Sequence, residues 1–163
     1  MAKEISESDR MDEDKIYGKY LTFNLDKEVF GMEVEFVTEI IEMQEITEVP
    51  ETPPFVIGII NLRGKIIPVI DVRLKFKKEK VPYDDMTCII VIDINDMQVG
   101  LIVDNVSEVV DIADTEISEP PGNKTGFDNN YIKKIGRSGN DVILILDGLM
   151  LLGRDNAEAL EKA

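Results

Sequence analysis

The chain's apolar residues come in short runs rich in isoleucine and valine, each cut off by turn-forming residues. Runs of this length, punctuated by Gly, Asn, Asp and Pro, fit strands and leave no room for long helices. In Tyr20–Leu25, Leu21, Phe23 and Leu25 alternate with polar neighbours, the period of a half-buried strand. Asp26-Lys27 then turns the chain into Val29–Val34, where Phe30, Met32 and Val34 share one face, so the two read as a hairpin. Ile57–Asp71 holds two apolar runs around Arg63-Gly64, a tight reversal in which Gly64 can take a positive φ. Pro68 cannot donate to a ladder, which predicts an edge or a bulge there. Cys88–Ile94 and Val99–Val103 flank the turn pair Asn95-Asp96. Val106–Ile112, Tyr131–Gly136 and Val142–Leu146 follow the same pattern.

Between these runs the reading is less regular. Glu35–Val49 suits a helix by its glutamates at every third residue (Glu39, Glu42, Glu45, Glu48), while Thr38–Met43 also suits a strand. A short helical turn followed by a strand is expected. Pro50, Pro53 and Pro54 force a loop, and Glu119–Asn130 reads as a long one. Asp147 can cap a short helix. About ten short strands make an all-β fold. The charged stretch Lys75–Asp85 reads as a connector between two small barrels, one over roughly 18–75 and the other over roughly 86–147. Residues 1–17 are expected to be a disordered acidic tail, and 153–163 a charged helical end or tail.

Charge and composition exclude several functions. The net charge is −15, with 33 acidic against 18 basic residues, which disfavours nucleic acid and anionic membranes as partners. The longest apolar stretches, such as Val56–Leu62, are too short to span a bilayer, so direct membrane insertion is not expected. The first fifteen residues have no apolar core of the signal-peptide kind, which predicts a soluble, intracellular protein. There is no histidine, which removes the commonest general base and zinc ligand together. Cys88, the single cysteine, sits in T-C-I-I-V-I, the setting of a buried thiol. No phosphate-binding loop is present, and Asp93, Asp96 and Asp104 lack the spacing of a calcium loop. The expectation is a binding protein with no catalytic residues, no metal and no cofactor.

The run Phe55–Asp71, F-V-I-G-I-I-N-L-R-G-K-I-I-P-V-I-D, closely resembles the signature of CheW-type chemotaxis coupling proteins. The resemblance extends from Tyr20 to Leu152. It includes the opening hairpin, V-G-L-I-V-D-N-V-S-E-V (Val99–Val109) and the closing I-L-I-L-D (Ile143–Asp147). It implies two five-stranded SH3-like barrels sharing a hydrophobic core, with short helices. It also implies a non-catalytic adaptor that joins the cytoplasmic tips of methyl-accepting chemoreceptors to the regulatory domain of the histidine kinase CheA. The same domain occurs within CheA and CheV, but 163 residues leave no room for their extra domains, so the stand-alone coupler is expected. The other reading, from a different class, is a small β-barrel module for a ligand or a nucleic acid.

The resemblance assigns residues as well. Arg63, within N-L-R-G, matches the receptor-facing groove, joined there by Val37, Glu39, Cys88 and Val109. Kinase contact is expected at a barrel end around Ile40, Ile41, Met43 and Ile46. Each has a plainer alternative: solvation for Arg63, and core packing for Val37, Cys88 and Val109. Gly58, Gly64 and Gly100 are assigned to backbone geometry, with Gly100 marking a bulge or a close approach.

Overall fold

Why the apolar runs are so continuous is clear from the wall of strands they build. The computed structural model describes residues 17–121 and 131–152. In chain order it contains β1 (Tyr17–Leu25), β2 (Glu28–Glu33), a 3-10 turn (Val34–Phe36), β3 (Val37–Glu42), β4 (Val56–Leu62), β5 (Lys65–Asp71) and α1 (Val72–Lys75). Then come β6 (Cys88–Ile94), β7 (Met97–Val103), β8 (Asn105–Ala113), a 3-10 turn (Asp114–Glu116), β9 (Ile117–Ser118), β10 (Ile132–Ser138), β11 (Asp141–Leu146) and α2 (Gly148–Leu152). The fold is all-β, as expected, with only short helices. Tyr17, expected in the acidic tail, instead opens β1 by pairing with Ala113 of β8; the rest of the tail, most of the 119–130 loop and the 153–163 end lie outside the described residues.

The strands form two sheets, ordered β8-β1-β2-β11-β10-β9 and β3-β6-β7-β5-β4. The second has the expected five strands; the first has five longer ones and the two-residue β9. Alternation along each strand sorts side chains into three clusters. In β6, Ile90 and Ile92 face a core shared by both sheets, with Phe23, Phe30 and Met32 from the first and Leu101 from the second. Ile89 and Val91, on the other face of β6, pack with Ile60, Ile67, Val69 and Ile102 inside the second barrel. Tyr20, Ile112, Ile143 and Ile145 fill the first barrel. A strand buried on both faces reads as an unbroken apolar run, which is what Cys88–Ile94 shows.

The split at Lys75–Asp85 into 18–75 and 86–147 does not follow the sheets. The first sheet takes residues 17–33 and 105–146; the second is built wholly from 37–103. The reason is a parallel pair: Val69, Ile70 and Asp71 of β5 run alongside Gly100, Leu101 and Ile102 of β7. Parallel neighbours require a crossover, and α1, the connector and β6 supply it within one sheet. Pro68 lies just before this ladder begins at Val69, so β5 is interior by order while Pro68 has only β4 beside it. No bulge occurs at Gly100. It is a close approach, since a Cβ there would stand 2.8 Å from Ile89 Cγ2.

A polar clasp joins the barrels. Asp71 caps α1, its Oδ1 accepting from the Arg73 amide at 2.9 Å and its Oδ2 from the Tyr83 hydroxyl at 2.8 Å. Burial, followed by the Asp71 carboxylate, pushes the Tyr83 phenol above its ordinary range. From α1, the buried Arg73 reaches Asp104, at the β7–β8 junction, and Asp26, in the β1–β2 turn. The Asp26 amide donates to Asp104 Oδ2 at 2.8 Å, and Lys78 bonds Glu28 at 2.9 Å. Beside it, Phe23, Phe30, Phe76 and Tyr131 stack in sequence with centroids 5.4–5.9 Å apart.

Candidate interaction site at the barrel seam

The β4–β5 hairpin shows why the signature has its spacing. Arg63 and Gly64 both have positive φ, 51° and 87°, and connect Leu62 directly to its partner Lys65. That is the mirror-image turn that suits strand twist, and its first position favours Asn, Asp or Gly. Arginine in the left-handed region costs on the order of 1 kcal/mol. Asn61 offsets part of this, its Oδ1 accepting from the Gly64 amide at 2.9 Å. Gly58 has another role. The segment after β3 bridges to β4 through Thr47 N–H to Ile59 O at 2.9 Å and Ile59 N–H to Thr47 O at 2.8 Å. A Cβ on Gly58 would stand 2.2 Å from the Thr47 carbonyl oxygen. Only glycine lets the two edges of the second sheet meet here.

This closure brings Glu39 of β3 to Arg63, although β3 and β4 are opposite ends of the sheet order. Arg63 Nη2 lies 2.5 Å from both Glu39 Oε1 and Oε2. A register shift between Val37 and Glu39 aids the meeting. Val37 sides with Ile92 and the shared core, whereas Glu39 pairs with Val91 of the barrel interior. The pair borders a cleft of about 180 Å³ that also includes Leu62, Lys65, Ile67, Val91 and Gln98. The Arg63 side chain stays 66% exposed and that of Glu39 32%.

The remaining residues expected at the receptor face are not gathered at this pair. Cys88 is half-buried at the opposite end of the β3–β6 ladder, facing Glu42, and its thiol donates to the Met86 carbonyl at 3.3 Å. Val109 lies on β8 of the other sheet, opposite Leu21, and is exposed. Of the four residues expected at the kinase face, Ile40 is exposed, whereas Ile41, Met43 and Ile46 pack partly buried against the second barrel's core. The Asp71–Arg73–Asp104 clasp had one legible trace in the sequence: an aspartate ending a strand two residues before an arginine, the spacing of a helix cap. Its long-range partners had none.

Known proteins place these features in a family. A family model described as the CheW-like domain matches residues 19–156. The chemotaxis protein CheW of Klebsiella aerogenes is 33% identical over 137 residues, covering 84% of this chain and 82% of that protein. CheW of Helicobacter pylori is 30% identical over 154 residues, covering 94% and 92%. Among solved structures, the scaffolding protein TtCheW of Thermoanaerobacter tengcongensis matches with a TM-score of 0.78 and 37% identity, over 86% of this chain and 96% of that one. With the fold, the Phe55–Asp71 signature and these relatives in agreement, the chain belongs to the CheW-like family of chemotaxis scaffold proteins.

Proposed function

We propose that this chain is a non-catalytic cytoplasmic adaptor that couples the tips of chemoreceptors to the regulatory domain of CheA. The observation that carries the receptor side is Arg63. Gly58, Asn61, Gly64 and Asp71 of the same signature are absorbed by barrel closure, a turn and a helix cap. Arg63 is placed in an unfavourable backbone region and keeps its guanidinium exposed. Its pair with Glu39 engages Nη2 alone and is largely exposed, which leaves the rest of the guanidinium open to a partner contact. Its planar donors suit a carboxylate or helix-end carbonyls on a helical hairpin. Glu39 keeps the guanidinium oriented until that partner arrives, with Val37, Val109 and Cys88 on the flanks of the receptor surface. Ile40 supplies exposed apolar area for the kinase, on a strand whose Ile41, and beyond it Met43 and Ile46, brace against the barrel core. The adaptor acts by position, relaying receptor state to the kinase without making or breaking a bond. Co-sedimentation of the purified chain with a receptor cytoplasmic fragment and CheA tests this. A ternary complex with receptor-dependent kinase activity is expected, and recovery of neither partner would overturn it.

A further inference from the structure

A second cleft, of about 370 Å³, shares no residue with the one beside Arg63 and is walled by Gly18, Lys19, Tyr20, Glu33, Val34 and Glu35. Its size suits one amino-acid side chain or a small molecule. Tyr20 is only 9% exposed, yet its hydroxyl has no hydrogen-bond partner among the described residues. Among the described residues no fully buried side-chain polar atom lacks a partner, so the phenol oxygen is not sealed in the core but open to solvent where the cleft reaches it. Gly18 leaves room for that hydroxyl at the cleft wall, since a Cβ there would stand 2.7 Å from Tyr20 Oη. The charges are unbalanced in one direction. Lys19 is tied to Asp111 at 2.8 Å and Lys133 to Glu33. Glu35 has no ion pair among the described residues, nor does Asp114, whose field reaches Tyr20 together with that of Glu33. Among the described residues that line the cleft, one lysine, already engaged, stands against the carboxylates of Glu33 and Glu35, and an open phenol oxygen lies beside them. An anion is repelled here, and a neutral apolar group leaves both acceptors unmatched. A planar cation with several N–H donors satisfies both.

We propose that this cleft binds a guanidinium group, with Tyr20 Oη and the Glu35 carboxylate as acceptors. The group can be an arginine side chain on a protein partner or a free small guanidinium compound. The test titrates the whole protein with ethylguanidine, following backbone amides by NMR, with ethylurea as the neutral isostere. Saturable shifts confined to Gly18–Tyr20 and Glu33–Glu35, absent with ethylurea, are expected. Tyr20→Phe and Glu35→Gln, both near-isosteric, should each weaken binding by about tenfold with the rest of the spectrum unchanged. A capped Gly-Arg-Gly peptide binding more tightly than agmatine assigns the group to a protein, and the reverse order to a free compound; both uphold the cleft. No saturable shift at these residues, an equal response to ethylurea, or full affinity in both variants would overturn it.

Discussion

Arg73 and Asp104 meet side-on across the junction of the two barrels, with Nε 2.7 Å from Oδ1 and Nη2 2.7 Å from Oδ2. Burial alone would raise the Asp104 carboxyl. The hydrogen bonds from Arg73 and from the Asp26 amide outweigh it and hold the group below the ordinary carboxylate range. On the other partner, the Asp104 bonds lead in raising Arg73 against the pull of burial. Arg73→Met strands Asp104 and Asp26 without their cation, so a loss of about 3 kcal/mol in urea denaturation is expected.

The pH dependence of the same clasp has a definite sign. A carboxyl depressed in the folded state stabilises fully above its unfolded value, about 3.9. That contribution is lost as pH falls through the lower folded value. The stability gap between the native chain and Asp104→Asn should therefore be constant near neutrality and shrink progressively in acid below about pH 4. A gap that widens on acidification would contradict this.

Gly58→Ala places a methyl group against the Thr47 carbonyl oxygen, a backbone atom that cannot swing aside. The Thr47–Ile59 bridge must open or the strands must shift, at about 2–3 kcal/mol. Hydrogen exchange localises the damage: the Thr47 and Ile59 amides, bonded to each other's carbonyls, should lose protection first. Gly64→Ala meets no atom within 4 Å. It suffers only from its positive φ and should cost about 1 kcal/mol.

Ile40 and Ile41 are adjacent, yet their substitutions should separate binding from stability. Ile40 is 44% exposed, while Ile41 packs on the second barrel's core. Ile40→Asp should weaken CheA binding with a melting temperature close to that of the native chain. Ile41→Asp puts a carboxylate against apolar neighbours and should destabilise by about 2 kcal/mol or more. If Ile40→Asp leaves kinase affinity untouched, the kinase surface lies elsewhere.

How much of this was legible in the sequence depends on the range of the interaction. The β1–β2 hairpin, the Arg63-Gly64 reversal and, within Glu35–Val49, the short helical turn followed by a strand at Thr38–Met43 are local, and all are present at or within a few residues of the expected bounds. The two-residue β9 and the helix α1 were missed, being too short for periodicity to register. The division between barrels was misplaced because the polar Lys75–Asp85 stretch reads the same whether it links two sheets or crosses within one. Only the β5–β7 parallel pairing distinguishes these, and it spans about thirty residues. Likewise the family resemblance put Arg63 and Glu39 on one groove without pairing them. Their contact needed the barrel to close at Gly58.

Arg63→Ala gives the last test. An exposed ion pair contributes little to stability, within about 1 kcal/mol, and the alanine still carries the positive φ of the turn. The melting temperature should therefore change by only a few degrees, whereas receptor affinity should fall by about tenfold or more, the loss of a charge-assisted contact. The charge-swapped double variant Arg63→Glu with Glu39→Arg separates two roles. It can restore the intramolecular pair and the cleft wall while inverting which charge is held at the hairpin tip. If Arg63 itself meets a receptor carboxylate or helix-end carbonyls, the swap should bind as poorly as Arg63→Ala. If the pair serves only to shape the cleft, the swap should recover most of the native affinity. Receptor co-sedimentation on all three proteins, at low and high salt, decides between them, since a direct charged contact should weaken with ionic strength.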